Sequence, residues 1–205
     1  MPNELVKKVA RRVLPQSVRR FVRGLQVKPS GGPSKLRVES NRWLQSQCLD
    51  VVGSVLSIGS GDDSDGEGRK YRDYFPAATS LTTSEVVPIE GCDLVIDVRS
   101  MPEITDASYD CVYCSGVLEH VDEFRKGFDE ITRILKPGGI LLLGLPFRQA
   151  IHMAPQDFWR FTEYGIRYLL KDSYEIIAMK EIGTEIAGFP GTYWVKARKN
   201  HINTK

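Results

Sequence analysis

The chain has 205 residues, 41% hydrophobic and 26% charged, which suits one globular domain of ordinary composition plus a short extension. Its longest apolar stretch, residues 140–146, is far shorter than the ~20 residues that cross a bilayer. The net charge of +2 is distributed unevenly. Residues 1–37 hold ten Lys/Arg and one acid, whereas residues 38–205 hold eighteen Lys/Arg and twenty-five acids. We therefore expect a basic extension at 1–37, an acidic domain at 38–199 and a polar tail at 200–205.

The extension is amphipathic. Apolar residues at helical spacing alternate with Lys and Arg over residues 1–27, which predicts one or two helices, and "KPSGGPSK" at 28–35 has the composition of a linker. Three interpretations stay open. The extension is a helix docked on its own domain or partly disordered, a surface helix on anionic lipid or a partner-binding arm, or a cleaved targeting segment.

From residue 38 onward, predicted strands and helices alternate. The predicted helices cover 39–51, 67–75, 122–136 and 163–171, the last with Thr162 as its N-cap. The predicted strands cover 54–59, 79–84, 92–98, 109–115, 140–146, 174–179 and 192–199. Uninterrupted apolar strands of this kind are buried on both faces, which indicates a parallel sheet covered by helices.

The four cysteines do not predict a metal site. Cys111 and Cys114 form a CxxC pair on one predicted strand, and residues three apart on a strand point to opposite faces. We expect no metal ligands in the chain, and free thiols typical of a reducing, cytoplasmic compartment.

A glycine-rich turn follows the first predicted strand in "VLSIGSG", residues 55–61, and acids follow at once. Ser64 stands where the dinucleotide fingerprint has its third glycine, and no Gly-Lys-Ser/Thr follows. The acids Asp62, Asp63, Asp65 and Glu67 would repel a pyrophosphate. They favour an adenosine derivative that is cationic and lacks phosphate, or else form a solvated helix start that the dipole stabilises.

Three segments in order, "VLSIGSG", "DVRSMPEITDASYDCVYCSGVLEHV" and "ILKPGGILLLGLPF", resemble the class I S-adenosylmethionine-dependent methyltransferases, in the small-molecule branch often called type 11. The resemblance covers about residues 38–199. It implies an α/β fold: a Rossmann-like, doubly wound, mostly parallel seven-stranded sheet with helices on both faces and an antiparallel last strand. It also implies S-adenosyl-L-methionine as cofactor.

The resemblance further implies how the first two strand ends contact the cofactor. Gly59, Ser60 and Gly61 would line its methionine moiety. Glu85, or failing that Ser84, stands where the family keeps an acid that holds the ribose hydroxyls.

The next two strand ends have implied roles as well. Asp97 and Val98 would flank the adenine, with Asp97 accepting a hydrogen bond from its exocyclic amine. Ser115 and Gly116 would close over the ligand near the sulfonium. Neighbouring strands lie ~4.8 Å apart, so three strand ends can contact one adenosine.

Methyl transfer from a sulfonium is an in-line displacement, in which the enzyme mainly aligns the reactants. A general base is needed only if the acceptor loses a proton. His152, in the polar loop "RQAIHMAPQD", is the candidate, and a loop histidine without catalytic role is the alternative. His120 and Glu119 are expected to orient a loop or helix start, and Asp157 and Arg160 to form a local ion pair.

The sequence thus predicts a cytoplasmic methyltransferase that modifies an oxygen or nitrogen of a small-molecule or glycan-like acceptor, with peripheral membrane contact through residues 1–27. The alternative is a non-catalytic, methyltransferase-like scaffold whose basic arm binds membrane or nucleic acid. Methylation of nucleic acid is disfavoured, because the domain is acidic and shows no aromatic and basic platform. The acceptor and the oligomeric state do not follow from the sequence.

Overall fold

The structure, a computed structural model, describes residues 33–201. The predicted helices of residues 1–27, most of the predicted linker and most of the polar tail lie outside the described residues. The helices are α1 (Lys35–Cys48), α2 (Phe124–Ile134) and α3 (Glu163–Leu170). The strands are β1 (Gly53–Ile58), β2 (Ala78–Glu85), β3 (Leu94–Val95), β4 (Tyr109–Ser115), β5 (Leu135–Pro146), β6 (Tyr174–Ile182) and β7 (Thr192–Lys199).

The strands form one seven-stranded sheet in the order β3-β2-β1-β4-β5-β7-β6. The first five strands pair in parallel, and β7 pairs antiparallel with both β5 and β6. Helices cover both faces of the sheet. The predicted α/β, Rossmann-like, doubly wound architecture with an antiparallel last strand is confirmed.

Apolar side chains project from both faces of the sheet and form two hydrophobic cores. One core receives Phe128 and Ile131 from α2 and Ile166 and Leu170 from α3. The other receives Leu44 and Cys48 from α1. Full burial of a Leu, Ile or Phe side chain contributes about 1.5–3 kcal/mol, so the sheet is held from both sides and its strand ends are fixed in position.

The two cysteines of the CxxC pair separate as predicted. Cys111 lies in the core under α1 and Cys114 in the core under α2 and α3. All four cysteines of the chain lie within the described residues, and all are free thiols. Cys111 and Cys114 therefore cannot share a metal ion.

The helix predicted at 67–75 is wrong. Only a short 3-10 turn forms there, Tyr71–Tyr74. The carboxylate of Asp65 accepts hydrogen bonds from the backbone N–H groups of Glu67 (2.7 Å) and Arg69 (3.0 Å). A side chain thus takes the donors that a helix start would present, which is the usual way in which Asp competes with helix formation.

The strand predicted at 92–98 is shorter than expected for a similar reason. The carboxylate of Asp93 accepts from both the backbone N–H and the hydroxyl of Thr83, each at 2.8 Å, and the backbone N–H of Asp93 donates to the same hydroxyl at 3.0 Å. These bonds replace ladder bonds beside β2, so regular pairing is confined to Leu94–Val95.

Two further element boundaries differ from the prediction. Helix α1 begins at Lys35 instead of residue 39, because the Ser34 hydroxyl caps it by accepting the Arg37 N–H at 3.2 Å. Strand β5 begins at Leu135, and "KPGG" forms an irregular stretch inside it, where the pairing with β4 shifts register.

Within residues 33–201, none of the helices is long and apolar enough to cross a membrane.

The Thr162 cap of α3 is as predicted, with its hydroxyl accepting from the Gly165 N–H at 3.1 Å. We expect Thr162→Ala to lower the free energy of unfolding by about 1 kcal/mol, because it removes the cap. Urea titration followed by circular dichroism measures this. Thr162→Ser keeps the hydroxyl and should retain most of the stability, so an equal loss in both variants would contradict the capping role.

Candidate active site

The carboxyl ends of β1 to β4 open into one cavity. The chain builds the sheet outward from β1 to β3 and then continues on the other side of β1 with β4. Ligands of doubly wound sheets bind at this reversal of strand order. The cavity there has a volume of about 510 Å³, within the range of about 300–1,000 Å³ that small-ligand sites occupy.

The glycine turn after β1 is tied to the end of β2 by its own backbone. The N–H groups of Gly59 and Ser60 both donate to the carbonyl of Ser84, at 2.9 and 3.2 Å. The N–H of Gly61 donates to Oε1 of Glu85 at 2.7 Å. Three successive amides of the turn are therefore satisfied within the protein.

Position 59 requires a glycine, because the backbone there lies close to the side chain of Val117. Gly59 has a φ of +72°, and a Cβ atom there would collide with Cγ2 of Val117, which follows β4. Both residues line the cavity. A side chain at position 59 would therefore narrow the cavity as well as strain the turn.

Glu85 is the buried acid at the end of β2, with 6% of its surface exposed. Burial raises the pKa of Glu85, and the Gly61 hydrogen bond acts in the opposite direction. The neighbouring Ser84 is fully buried, and its hydroxyl donates to the carbonyl of Ser57 at 3.1 Å. Of the two predicted ribose ligands, Glu85 is thus the one that brings a carboxylate to the cavity wall.

Asp97 lies on the cavity wall beyond β3, but a neighbour already binds its carboxylate. Arg99 donates to both oxygens of Asp97, at 2.6 to 3.1 Å, and its Nη1 donates to Asp122 at 2.8 Å. The hydrogen bonds from Arg99 lower the pKa of Asp97 against the effect of burial. Arg99 and Asp122, which the sequence analysis missed, are also part of the wall.

The cavity brings together most of the predicted cofactor residues. Six of them line it: Gly59, Ser84, Glu85, Asp97, Val98 and Gly116. Ser60, Gly61 and Ser115 are not part of the wall that the described residues form. The wall also contains apolar residues that no sequence motif marks, among them Val86, Val87, Val117, Val121, Met153 and Phe158.

The side chains of the acids after the glycine turn bond to other protein groups instead of facing a ligand. Asp63 pairs with Arg72, and Oδ2 of Asp65 accepts from the Tyr74 hydroxyl at 2.8 Å. Glu67 accepts from the side chain of Asn41 at 2.7 Å, and Asp62 accepts from the backbone N–H of Ser64 at 3.1 Å. None of the four acids is part of the cavity wall that the described residues form. The interpretation that they attract a cationic ligand is therefore not supported by their positions.

Beside the cavity, two histidines and an acid form a cluster. The rings of His120 and His152 meet edge to face, with their centroids 4.8 Å apart. His120 lines the cavity, whereas His152 is not part of the wall that the described residues form. Glu119 is 2% exposed, and burial raises its pKa to about 7. Burial also lowers the pKa of His120.

A loop from residue 147 to residue 162 covers this cluster and is bonded to the turn after β4. The N–H groups of Phe158 and Trp159 donate to the carbonyl of Glu119, at 2.8 and 3.2 Å. Asp157 and Arg160 form the predicted local ion pair, with contacts of 2.7 and 2.9 Å. Asp157 also accepts the backbone N–H of His152 at 2.8 Å, so the ion pair holds the histidine segment of the loop.

The sequence and fold of this chain were compared with those of known proteins. Residues 76–143 match the sequence model of a family described as methyltransferase domain. The match spans about a third of the chain. The match contains Glu85, Asp97, Gly116 and the Glu119–His120 pair.

Two solved structures share the fold across most of this chain. One is the N-methyltransferase NodS from Bradyrhizobium japonicum in complex with S-adenosyl-L-homocysteine. It is 16% identical with a TM-score of 0.67, and the match covers 91% of this chain and 99% of NodS. The other is the 1,6-didemethyltoxoflavin-N1-methyltransferase from Burkholderia thailandensis, bound to 1,6-didemethyltoxoflavin and S-adenosylhomocysteine. It is 17% identical with a TM-score of 0.66, and the match covers 90% of this chain and 85% of the Burkholderia enzyme.

A curated relative is an uncharacterised 37.1 kDa protein in a transposon of Streptomyces fradiae, 28% identical over 101 residues. The match covers 49% of this chain and spans a quarter of the length of that relative.

The contact between Glu85 and the glycine turn can be tested without a ligand. In Glu85→Ala the Gly61 amide loses its acceptor, and a hydrogen bond to a charged group contributes about 1.5–3 kcal/mol. We expect its hydrogen exchange, measured by NMR, to speed up by roughly tenfold or more. Glu85→Gln keeps an acceptor oxygen and should preserve most of the protection.

The amide of Gly59, which donates to a backbone carbonyl, is the internal reference for this measurement. Unchanged exchange at Gly61 in Glu85→Ala would contradict the contact. Equal acceleration at Gly59 and Gly61 would instead indicate general unfolding of the turn.

Proposed function

We propose that this protein binds S-adenosyl-L-methionine in the cavity at the carboxyl end of its sheet and transfers the methyl group to an oxygen or nitrogen of a small-molecule acceptor. The observation that carries the proposal is the grouping of Gly59, Glu85, Asp97 and Gly116 around one cavity in a chain with a methyltransferase domain. The two structural neighbours named above, both methyltransferases with bound S-adenosylhomocysteine, support the choice of cofactor.

The turn itself argues against a phosphate-bearing ligand. Phosphate sites at glycine turns use backbone N–H groups and a following helix N-terminus. Here the amides of Gly59, Ser60 and Gly61 donate within the protein, and the turn is followed by irregular loop and a short 3-10 turn. The wall carries the carboxylates of Glu85, Asp97 and Asp122 against one arginine. An unphosphorylated nucleoside suits these groups.

We assign the cofactor contacts along the strand ends. The methionine moiety would lie against Gly59, Ser60 and Gly61. The two glycines have no side chain, so they would contact it with their backbone atoms. Glu85 would accept from the ribose hydroxyls, because its Oε2 is the oxygen that the bond from Gly61 to Oε1 leaves for another donor. Ser84 would shape the wall behind it.

The remaining assignments concern the adenine and the sulfonium. Val98 would pack against the ring and Asp97 would accept from its amine. Since Arg99 already donates to both oxygens of that carboxylate, the amine has to share Asp97 or displace Arg99 towards Asp122. Ser115 and Gly116 would lie near the sulfonium.

The cofactor supplies an activated methyl group, and the protein aligns the acceptor and excludes water. His152 is our candidate general base for an acceptor that must lose a proton. The Asp157–Arg160 ion pair fixes its segment of the loop. In support of this role, the ring of His152 contacts that of His120, which lines the cavity.

The acceptor class is proposed from the relatives. NodS and the Burkholderia enzyme are N-methyltransferases by name, and the second is bound to the small molecule 1,6-didemethyltoxoflavin. This supports a small-molecule acceptor for this chain, with a glycan-like acceptor as the other prediction. Cytoplasmic location and membrane contact through residues 1–27 remain predictions, and nucleic acid stays the disfavoured partner.

Cofactor binding is tested by calorimetry on the full chain. We expect S-adenosylhomocysteine to bind, and Gly59→Ala to weaken binding by at least about tenfold, equivalent to 1.4 kcal/mol, because the added methyl group enters the cavity wall at Val117. The matched control is Gly188→Ala. Gly188 has a similar φ of +68°, but an added Cβ would meet no atom within 4 Å among the described residues, so binding should be preserved.

Turnover is tested by incubating the protein with methyl-labelled S-adenosylmethionine and an extract of its source cells, then identifying the labelled compound. A labelled small molecule that depends on intact Gly59 is expected. Cofactor binding without any labelled product, in this extract and with purified candidate acceptors, would favour the non-catalytic scaffold. Labelled nucleic acid would revive the disfavoured substrate class, and failure to bind the cofactor would overturn the proposal.

A further inference from the structure

One ligand atom each of Glu119, His120 and His152 lies within 4.8 Å of the others. We propose that these three side chains form a binding site for a divalent transition metal ion of the zinc type, beside the cavity at the carboxyl end of the sheet. The sequence analysis considered the three residues separately and predicted no metal site.

The hydrogen bonds of both histidines have the pattern of metal ligands. Nδ1 of His120 is bonded to the carbonyl of Gln156, and Nδ1 of His152 to the carbonyl of Ala150 at 3.0 Å. A carbonyl only accepts, so each ring carries its proton on Nδ1 and its lone pair on Nε2. Metal-binding histidines characteristically donate their other N–H to a carbonyl or carboxylate in this way.

Glu119 provides an independent observation. Its side chain is 2% exposed, and Oε2 has no hydrogen-bond partner among the described residues. A buried polar atom without a partner destabilises the fold, and a cation bound to the carboxylate would offset that cost. Oε1 lies 3.9 Å from Nε2 of His120, and a ligand atom of His152 lies within 4.8 Å of both side chains.

The donor set selects the class of ion. Two imidazole nitrogens and one carboxylate oxygen are a recurrent zinc set that leaves a fourth position open, whereas Mg²⁺ and Ca²⁺ prefer oxygen ligands alone. Ligands at ~2.1 Å from a tetrahedral ion lie roughly 3.4 Å apart, so ligand atoms that are up to 4.8 Å apart have to approach one another by up to roughly 1.4 Å. The side chain of His152, 35% exposed on the 147–162 loop, can supply that movement.

The location gives the ion a use. His120 belongs to the cavity wall, so an open coordination position would adjoin the cavity. A bound ion would polarise an acceptor hydroxyl and lower its pKa, so that the hydroxyl would release its proton to solvent water instead of to His152. The two roles of His152 use the same lone pair and therefore exclude each other at any moment.

The test measures metal binding directly, on the full chain after chelator treatment and without cofactor or acceptor. We expect one equivalent of Zn²⁺ by calorimetry, and Co²⁺ to give visible d–d bands without the near-ultraviolet band of thiolate coordination. His152→Ala and Glu119→Gln should each weaken Zn²⁺ binding by at least tenfold. Circular dichroism checks that both variants stay folded.

The matched control is His201→Ala. His201 is the third histidine of the chain and lies against Gly138, in a different region, so its loss should leave Zn²⁺ binding unchanged. Absence of stoichiometric binding, a thiolate band, or equal affinity in wild type, His152→Ala and Glu119→Gln would each overturn the site. If Glu119→Gln fails to fold, His152→Ala and the cobalt spectrum decide. Because no cofactor is present, a negative result leaves the methyltransferase proposal to its own calorimetric test.

Discussion

The hydrogen bonds between the glycine turn and the end of β2 are the constraint on which the proposed site depends. The Ser84 carbonyl accepts from Gly59 and Ser60, and the Glu85 carboxylate accepts from Gly61. These bonds fix the turn at the reversal of strand order and consume its donors. A ligand in the cavity must then be held by the remaining carboxylate oxygens and by apolar contacts, which favours a nucleoside over a nucleotide.

The helices and strands were predictable from the sequence where burial of side chains alone determines the structure. Residues 109–115 and 192–199 coincide with β4 and β7, most of whose residues are buried, as expected of strands inside a covered sheet. The helix predicted at 67–75 is absent and the strand predicted at 92–98 is shortened, where Asp65 and Asp93 bond to backbone donors. The sequence shows these acids but not which amides they will reach, since that depends on how the loops return to the sheet.

The site was predictable to a similar extent and for a similar reason. Gly59, Glu85 and Asp97 follow strand ends, and the ends of parallel strands meet at one edge, so their convergence follows from topology. Nothing in the sequence indicated that Arg99 would span Asp97 and Asp122. A side chain of that length has many rotamers, and its choice depends on an acid that comes from a different loop.

The proposed metal cluster shows how topology brings together residues that are distant in the chain. His120 follows β4 and His152 follows β5, and these strands are neighbours in the sheet. A metal ion and a sulfonium would both be cations at this edge, and the Glu119 carboxylate reduces the charge of the first. Methyl transfer turns the sulfonium into an uncharged thioether and so removes the repulsion. By reciprocal linkage, an ion at the cluster would then favour the demethylated cofactor over the methylated one. If both proposals hold, cofactor and metal binding are energetically coupled.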